Sequence, residues 1–387
     1  MKITRVTPFI MWGGDAGGKL FSHTLWGQGA GRNWLFVKVE TDEGIYGWGE
    51  GSLVNQTPTI AEAVHRLAED IIGEDATAIE RHWQVMFLFN RYRGGVIQNS
   101  ALSAIDQALW DIKGKKLGAP IYQLLGGAVR NRIRVYAGAG NAEMAKQRVK
   151  EGFTGVKAGA WYTDKDIDER KVPGLFRENI ASIRSAVGPD IDIMVDNHGR
   201  SRPALAIKQI RAVEEFNLLF FEEAVPPDNL DCLAVVRQAG LNTELATGER
   251  LFNRWGYKDL VIRQLVDVIQ PDICHCGGIS ELKRIANLAE IYCIKVAPHN
   301  PKGPISTAAS IHVCATIPNF LILEHAHPNP LFDQVQKNPM KMVDGHYELP
   351  TQPGLGVDLN EEVIKENPYK DRPVIRAFYD DGCPTHP

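Results

Sequence analysis

From Val135 onwards the sequence alternates short apolar runs with polar loops and amphipathic helical stretches, and this rhythm constrains the fold more than any other feature. Alternation of this kind is typical of α/β proteins in which helices connect parallel strands. Eight runs, mostly about 20 to 30 residues apart, favour a closed barrel over an open sheet. The runs are Arg134 to Ala137, Gly155 to Ala158, Ile191 to Val195, Leu218 to Phe221, Thr243 to Ala246, Val266 to Ile269, Ile294 to Ala297 and Phe320 to Leu323.

The first part of the chain has a different pattern. Apolar and polar residues alternate on both sides of an Asp42-Glu43-Gly44 turn, which predicts antiparallel sheet, and helical periodicity follows in Ile60 to Ile72 and Ser100 to Lys116. The 387 residues also exceed the roughly 250 of a single eight-stranded α/β barrel. We therefore predict an α+β domain over residues 1–125, a barrel over 126–330, and a segment over 331–387 that packs on the first domain.

Composition limits the classes of partner. A hydrophobic content of 44% allows a large core, and a net charge of −4 gives no electrostatic reason to bind nucleic acid or an anionic membrane. No stretch approaches the roughly 20 apolar residues that span a bilayer, and no signal peptide is evident. Six scattered cysteines fit reduced thiols better than disulfides. We expect a cytoplasmic protein that acts on a small molecule.

Three acidic residues stand at the ends of successive apolar runs. Asp196, Glu222 and Glu249 are separated by 26 and 27 residues, about one strand-plus-helix unit. A single acid after a strand is more often a helix cap, because Asp favours that position. Three at matched positions instead predict a site for a hard divalent cation, which prefers oxygen ligands gathered from several directions.

Other ionisable residues follow the same strands. Asp272 and His299 end neighbouring strands, where the carboxylate can fix one ring nitrogen and leave the other as a base, although such pairs also occur in structural networks. His198 follows Asp196 by two residues and so shares its side of an extended segment. The remaining strand-end candidates are Lys157, Arg200, Glu324 and His325. Lys157 could instead pair with a carboxylate or act as a base, and His325 could equally be a solvated loop residue.

The same residues carry a family resemblance. Their order along the chain resembles that in the enolase superfamily, mandelate racemase subgroup, and most closely that in its D-galactonate dehydratase branch. The order is the three acids, then Asp272 and His299, then Glu324. The similarity extends over nearly the whole chain. Its other segments are Arg91-Tyr92-Arg93-Gly94-Gly95, Ala104 to Lys115, Asp272-Ile273-Cys274-His275-Cys276-Gly277-Gly278-Ile279 and Pro353-Gly354-Leu355-Gly356-Val357.

The resemblance implies a capping domain, completed by the C-terminal tail, on a modified TIM barrel of (β/α)7β type, with Mg²⁺ on the three acids. The shared chemistry is removal of the proton α to a carboxylate, which gives an enediolate stabilised by the metal. In the dehydratase branch His299, oriented by Asp272, would take this proton, His198 would protonate the departing β-hydroxyl, and Glu324 would hydrogen-bond the enediolate. We therefore predict a homo-oligomeric sugar-acid dehydratase that forms a 2-keto-3-deoxy acid.

Substrate contacts follow from the resemblance less directly. We expect Lys157, Arg200 and His325 to bind the substrate, together with Trp26 and His23 from a Gly13 to Arg32 insert that is longer than in the galactonate enzymes. Capping-domain loops of the family close over the substrate and exclude water. A surface loop at an oligomer contact is the alternative for this insert.

Four alternatives stay open. A cycloisomerase, epimerase or racemase would use the same enolate, although Lys157-Ala158-Gly159 lacks the second lysine of the Lys-x-Lys found in many relatives. Gly27-Gln28-Gly29-Ala30-Gly31 weakly suggests a dinucleotide enzyme, but no apolar strand precedes it. A catalytically silent paralogue is a further possibility. Cys274 and Cys276 could bind a soft metal, but without a second cysteine pair we expect packed barrel residues.

Overall fold

The computed structural model describes residues 1–14, 32–89, 91–159, 168–325, 329–371, 377–378 and 382–385. The N-terminal domain has a three-stranded antiparallel sheet followed by helices. Its strands are β1 (Ile3–Trp12), β2 (Asn33–Thr41) and β3 (Tyr46–Glu50), paired in the order β1-β2-β3. Its helices are α1 (Thr57–Ala68), α2 (Ile79–Leu88), α3 (Val96–Leu117) and α4 (Ile121–Leu124).

The central part of the chain alternates strands and helices, as the sequence predicts. The strands are β4 (Arg132–Gly138), β5 (Gly155–Gly159), β6 (Asp192–Asp196), β7 (Phe220–Glu222), β8 (Leu245–Thr247), β9 (Val268–Ile269), β10 (Lys295–Val296) and β11 (Leu323–Glu324). The helices are α5 (Ala142–Lys150), α6 (Val172–Val187), α7 (Pro203–Val213), α8 (Leu230–Arg237), α9 (Asn253–Ile262), α10 (Gly278–Ile291) and α11 (Pro304–Thr316).

The parallel strands form a ring. Strands β4 to β10 pair in chain order, and β11 pairs in parallel with β4 through Leu323 with Val135 and Glu324 with Tyr136. Phe320, just before β11, forms a parallel bridge with Val296 of β10. The predicted α/β barrel with an N-terminal capping domain is therefore confirmed.

The interior of the barrel is filled by side chains from alternating strand positions. A buried cluster inside the ring consists of Tyr136, Met194, Phe220, Ala246, Val268, Ala297 and Ile322. Burying one large apolar side chain contributes roughly 1.5–3 kcal/mol, so this layer and the outer helix layer account for much of the stability. Cys274 and Cys276 are fully buried in the apolar core, as expected for packed residues.

Several helices begin at residues that favour a helix start. The side chains of Asn141 and Asn229 accept hydrogen bonds from the first turns of α5 and α8. Pro203 starts α7, where the helix needs no backbone N–H donor. In the described part of the chain no helix is both long and apolar enough to cross a membrane.

The C-terminal segment packs on both preceding parts. It contains α12 (Pro330–Gln334), β12 (Met342–Val343), β13 (His346–Glu348), α13 (Glu361–Glu366), β14 (Ala377–Phe378) and β15 (Pro384–Thr385). Strand β13 extends the barrel sheet antiparallel to β4. Asp358 accepts hydrogen bonds from Trp48 Nε1 and Tyr46 Oη, each at 2.8 Å. The tail thus completes the capping domain, while the boundaries at 125 and 330 stay predictions.

Candidate active site

Three carboxylates meet at one end of the barrel. Asp196 and Glu222 are the last residues of β6 and β7 and are paired across the two strands, and Glu249 follows β8 by two residues. One ligand oxygen from each lies within 4.8 Å of the others. Because carboxyl ends of parallel strands meet at one edge, the matched spacing in the sequence becomes proximity in space.

The electrostatics of this carboxylate cluster fit a cation. Burial, reinforced by neighbouring carboxylates, raises the pKa of Glu222 to about 8 and holds the pKa of Glu249 well above its ordinary value. Oε2 of Glu249 is buried and makes no hydrogen bond with any described residue, although His299 Nε2 approaches to 3.1 Å. A hard divalent ion such as Mg²⁺ would satisfy these oxygens and remove the repulsion between them.

Lys157 lies against the carboxylate cluster. Its Nζ atom is 3.1 Å from Glu222 Oε2, 3.1 Å from Glu324 Oε1 and 3.5 Å from Asp196 Oδ2. Burial alone would lower the pKa of Lys157, but Glu222 and Glu324 raise it well above its ordinary value. The ammonium therefore acts here as a fixed positive charge.

His299 is held by Asp272. Nδ1 of the ring lies 2.7 Å from Asp272 Oδ2, and the opposite nitrogen faces the carboxylate cluster, 3.1 Å from Glu249 and 3.9 Å from Glu324. Burial would raise the pKa of Asp272, but His275 and Lys302 outweigh it and lower this pKa, so the carboxylate stays ionised. The predicted pair thus has the geometry of an oriented base.

His198 borders the cluster on another side. Its backbone N–H donates to Asp196 Oδ1 at 2.9 Å, and its Nε2 lies 3.3 Å from Asp196 Oδ2. The residue adopts a left-handed conformation with φ of 50°, which a non-glycine side chain rarely takes. Arg250 stabilises this turn by donating to the His198 carbonyl and to Glu223.

Glu324, the last residue of β11, completes the set. Its Oε2 accepts a hydrogen bond from the backbone of Asn300 at 3.0 Å. Burial would raise the pKa of Glu324, but Lys157 and His299 outweigh it and lower this pKa to about 2.

The remaining predicted residues differ in where they lie: Arg200 is close enough to Asp196 to interact with its charge, whereas His325 packs among aromatic side chains. The His325 ring packs against Phe153, Phe332 and Tyr347, and its Nδ1 lies 2.9 Å from the Tyr347 hydroxyl. The described contacts of the His325 ring are therefore mainly with aromatic side chains. Burial lowers the pKa of Arg200, with Asp196 opposing this effect. Trp26, His23 and the Gly27 to Gly31 motif lie outside the described residues.

Two residues near the site were missed in the sequence. The Nζ atom of Lys157 lies 5.5 Å from the centre of the Tyr136 ring, and the buried Tyr136 hydroxyl has no hydrogen-bond partner within the described parts of the chain. Lys302 is buried, with Nζ 3.7 Å from Asp272 Oδ2. Tyr136 could have been found, because its hydroxyl is a polar group inside an apolar run. Lys302 has no such signal, since its sequence context is that of an ordinary loop lysine.

A cavity of about 100 Å³ lies between the capping domain and the barrel. Its lining includes Arg32, Asn33, Trp34, Ser52, Asn55 and Lys302. Both domains therefore contribute polar and cationic side chains beside the loop that carries His299.

Two family models match this chain. Residues 27–126 match the mandelate racemase / muconate lactonizing enzyme N-terminal domain, and residues 141–363 match the enolase C-terminal domain-like family. The chain belongs to the enolase superfamily. Curated relatives in this superfamily include D-galactonate dehydratase of Xanthomonas euvesicatoria, 39% identical over 88% of this chain and 93% of the relative. That of Pectobacterium atrosepticum is 38% identical over 90% of this chain and 95% of the relative.

Solved enolase-superfamily structures agree with the fold. A protein from Agrobacterium radiobacter, proposed to be a galactarate dehydratase and bound to Na and L-malate, has a TM-score of 0.89 and 33% identity, with full coverage of both chains. The 3,6-anhydro-D-galactonate cycloisomerase from Zobellia galactanivorans has a TM-score of 0.83 and 31% identity, covering 96% of this chain and 100% of the other.

Proposed function

We propose that this enolase-superfamily protein is a Mg²⁺-dependent dehydratase of a sugar acid that forms a 2-keto-3-deoxy acid. The observation that carries the proposal is the placement of His299, with one nitrogen 2.7 Å from Asp272 and the other facing the carboxylate cluster. The D-galactonate dehydratases, at 38–39% identity over most of both chains, support an aldonate as the substrate.

Asp196, Glu222 and Glu249 would hold the metal. Their oxygens lie within 4.8 Å of one another, and oxygen ligands suit Mg²⁺. When bound, the ion supplies positive charge that stabilises the negative charge developing on the substrate carboxylate. Lys157, in contact with Glu222 and Glu324, adds a second fixed positive charge beside the same place.

His299 is the base for the α-proton. Asp272 accepts a hydrogen bond from Nδ1–H of His299, which favours the tautomer with a free electron pair on Nε2, on the side of the carboxylate cluster. When His299 takes the proton, the Asp272 carboxylate stabilises the imidazolium. A positioned base typically contributes about 10²–10⁴-fold to the rate.

His198 is the acid for the departing β-hydroxyl. Its ring lies on the Asp196 side of the cluster, so acid and base approach the substrate from different strands. Burial lowers the pKa of His198 to about 4, so an acid role requires the anionic substrate to raise that pKa on binding. Glu324 lies between Lys157 and His299 and would hydrogen-bond the oxygen of the enediolate. Only the protonated carboxyl can donate this bond, so the role requires substrate binding to raise the pKa of Glu324 from about 2.

The remaining expectations are part of the same proposal. Lys157 and Arg200 are the described candidates for substrate contact, and Trp26 and His23 are candidates beyond the described residues. The packing of His325 against aromatic side chains argues against a contact between His325 and the substrate. A homo-oligomer and a cytoplasmic location stay predictions.

An isomerase of a sugar acid or lactone is the second candidate, and the cycloisomerase of similar fold favours it. Such an enzyme would use the same base and metal but would not expel water. The strand end at Gly159 lacks a second lysine, so a racemase with a base there is disfavoured.

The test is an activity screen with Mg²⁺ and a panel of aldonates and aldarates. Dehydration yields a 2-keto acid that semicarbazide detects, and we expect this product from at least one aldonate. Exchange of the α-hydrogen in deuterated water without ketone formation would favour the isomerase instead. Failure of metal-loaded, folded protein to act on any of them would refute the dehydratase proposal.

A further inference from the structure

Helices α10 and α11 begin directly after the loops that carry Asp272 and His299. Gly277 and Gly303 occupy their N-cap positions, so neither helix has an N-cap side chain of its own. The first turn of a helix leaves backbone N–H groups without partners, and burying them unpaired is costly. The acceptors for these groups therefore come from elsewhere in the chain.

Glu50, the last residue of capping-domain strand β3, supplies the acceptors for α11. Its buried carboxylate accepts hydrogen bonds from the backbone N–H groups of Gly303 at 2.7 Å and Ser306 at 2.9 Å, and from the Ser52 hydroxyl at 2.6 Å. A Cβ atom at position 303 would lie 2.8 Å from both carboxylate oxygens. Glycine thus leaves the space that Glu50 fills.

Asp106 of helix α3 does the same for α10. Its buried carboxylate accepts hydrogen bonds from Ser280 N at 3.0 Å and Ser280 Oγ at 2.6 Å. The neighbouring Ser103 hydroxyl accepts from Gly277 N at 2.9 Å. A Cβ atom at Gly278, whose φ is +80°, would collide with the Asp106 carboxylate. The capping domain therefore caps both helices.

The hydrogen bonds continue from these caps toward the site. Ser306, held by Glu50, donates through Oγ to Asn300 Oδ1 at 2.7 Å, and Asn300 N donates to Glu324 at 3.0 Å. Asn300 also follows His299 directly in the chain. A displaced cap would therefore move the base and Glu324 together.

The loop of Asp272 is held in a similar way. Gln107 of α3 donates to the carbonyl of Ile273 at 3.3 Å and to that of Glu50 at 3.0 Å. Ser100 of α3 lies 2.8 Å from Nδ1 of His275. One face of α3 thus holds the loop between Asp272 and α10.

We propose that Glu50 and Asp106 are positioning residues, which cap α11 and α10 from the capping domain and thereby set the geometry of His299 against Asp272. The inference rests on the proposed role of this pair in proton abstraction. A misplacement of about 1 Å can cost about 10²-fold in rate, so loss of a cap should appear in turnover before it appears in substrate binding.

The experiment compares Glu50→Gln and Asp106→Asn with Asp111→Asn as a matched control. Asp111 is also a fully buried carboxylate of α3, but it accepts from the backbone of Trp48 at 3.0 Å and Leu355 at 2.8 Å rather than from the two loops. The full-length protein is assayed with Mg²⁺ and the sugar acid that the wild type dehydrates. For each protein kcat, KM, Mg²⁺ affinity and Tm are measured.

We expect Glu50→Gln and Asp106→Asn to lower kcat by about 10- to 100-fold, with KM and Mg²⁺ affinity within about twofold of wild type. Asp111→Asn should keep kcat within about twofold of wild type, even if its Tm falls as much as that of Glu50→Gln and Asp106→Asn. Unchanged kcat in both carboxamide variants, or an equal loss in the control, would overturn the inference.

Two further results are decisive. If Asp106→Asn does not fold, Ser103→Ala, which removes the hydroxyl that accepts from Gly277, replaces it. If Glu50→Gln does not fold, Ser52→Ala, which removes the hydroxyl that donates to Glu50, replaces it. For either replacement, a kcat loss of about threefold or more supports the inference at that helix, and unchanged kcat overturns it there. A wild type without dehydratase activity would overturn the proposed function as well. A wild type with activity and variants with unchanged kcat would overturn the positioning role alone.

Discussion

The Nζ atom of Lys157 lies 3.1 Å from Oε2 of Glu222. The same ammonium contacts Glu324 and Asp196 at 3.1 and 3.5 Å, so one buried cation faces three carboxylates. Removing one partner from a buried ion pair leaves uncompensated charge, which costs more than the pair contributes. The stability of the folded protein should therefore depend on Lys157 most strongly when no metal ion helps to neutralise the carboxylates.

We predict that Lys157→Met lowers the free energy of unfolding by about 3–5 kcal/mol without Mg²⁺, and that saturating Mg²⁺ restores part of it. Urea unfolding with and without Mg²⁺ measures both values. Lys115→Met is the control, because it breaks a pair with Asp111 that Mg²⁺ should not replace. Equal losses in the two buffers would contradict the role assigned to Lys157.

Metal binding should stabilise the folded protein through Glu249. An ion at 100 times its Kd stabilises the state that binds it by about 2.7 kcal/mol, so Mg²⁺ should raise the Tm of the wild type. We expect Glu249→Gln to weaken this response strongly. Glu223→Gln should keep it, because Glu223 pairs with Arg250. A Tm response in Glu249→Gln equal to wild type would remove Glu249 from the metal site.

The pH dependence of stability should include a contribution from Glu50. Burial raises the pKa of Glu50 from 4.5 to about 7, against the hydrogen bonds from Ser52 and Ser306. The folded protein therefore holds the Glu50 proton more tightly than the unfolded chain does. This contributes to the free energy of unfolding fully below a pH of about 4.5, and the contribution is lost as the pH rises through about 7. The loss amounts to about 3 kcal/mol at most.

Urea unfolding at about pH 5 and about pH 8 tests this assignment. The decrease in unfolding free energy between the two pH values should be smaller for Glu50→Gln than for wild type. An identical decrease in both proteins would show that Glu50 is already ionised at low pH.

The strands and the carboxylate cluster could be predicted because both leave local signals. The apolar run Gly155 to Ala158 became strand Gly155–Gly159, whereas the run Leu218 to Phe221 shifted to Phe220–Glu222. Such shifts arise because cross-strand pairing, rather than the run itself, sets where a strand begins and ends. The acids could be placed together because parallel strands bring their carboxyl ends to one edge.

The supporting contacts could not be predicted in this way. Glu50 and Gly303 are 253 residues apart in the chain, and Asp106 and Ser280 are 174 apart. The local sequence around each carboxylate does not distinguish it from any other acidic residue. Only the packing of the capping domain on the barrel brings it to a helix end. Lys302 was missed for the same reason, since its contact with Asp272 requires two different strand ends to meet.

The predicted contact between His325 and the substrate can be tested directly, because the aromatic packing of the ring argues against it. We predict that His325→Phe keeps KM within about twofold of wild type, because the ring packs among Phe153, Phe332 and Tyr347. Steady-state kinetics with the identified sugar acid measure this value. A large rise in KM with an unchanged Tm would instead return His325 to the substrate site.

The most direct test of the central claim is exchange of the substrate α-hydrogen in deuterated water, followed by ¹H NMR with Mg²⁺ present. His198→Asn should still exchange this hydrogen although it no longer dehydrates, because the base and the carboxylate cluster are intact. His299→Asn should lose both activities while it still binds Mg²⁺. Exchange by His299→Asn at the wild-type rate would contradict the account.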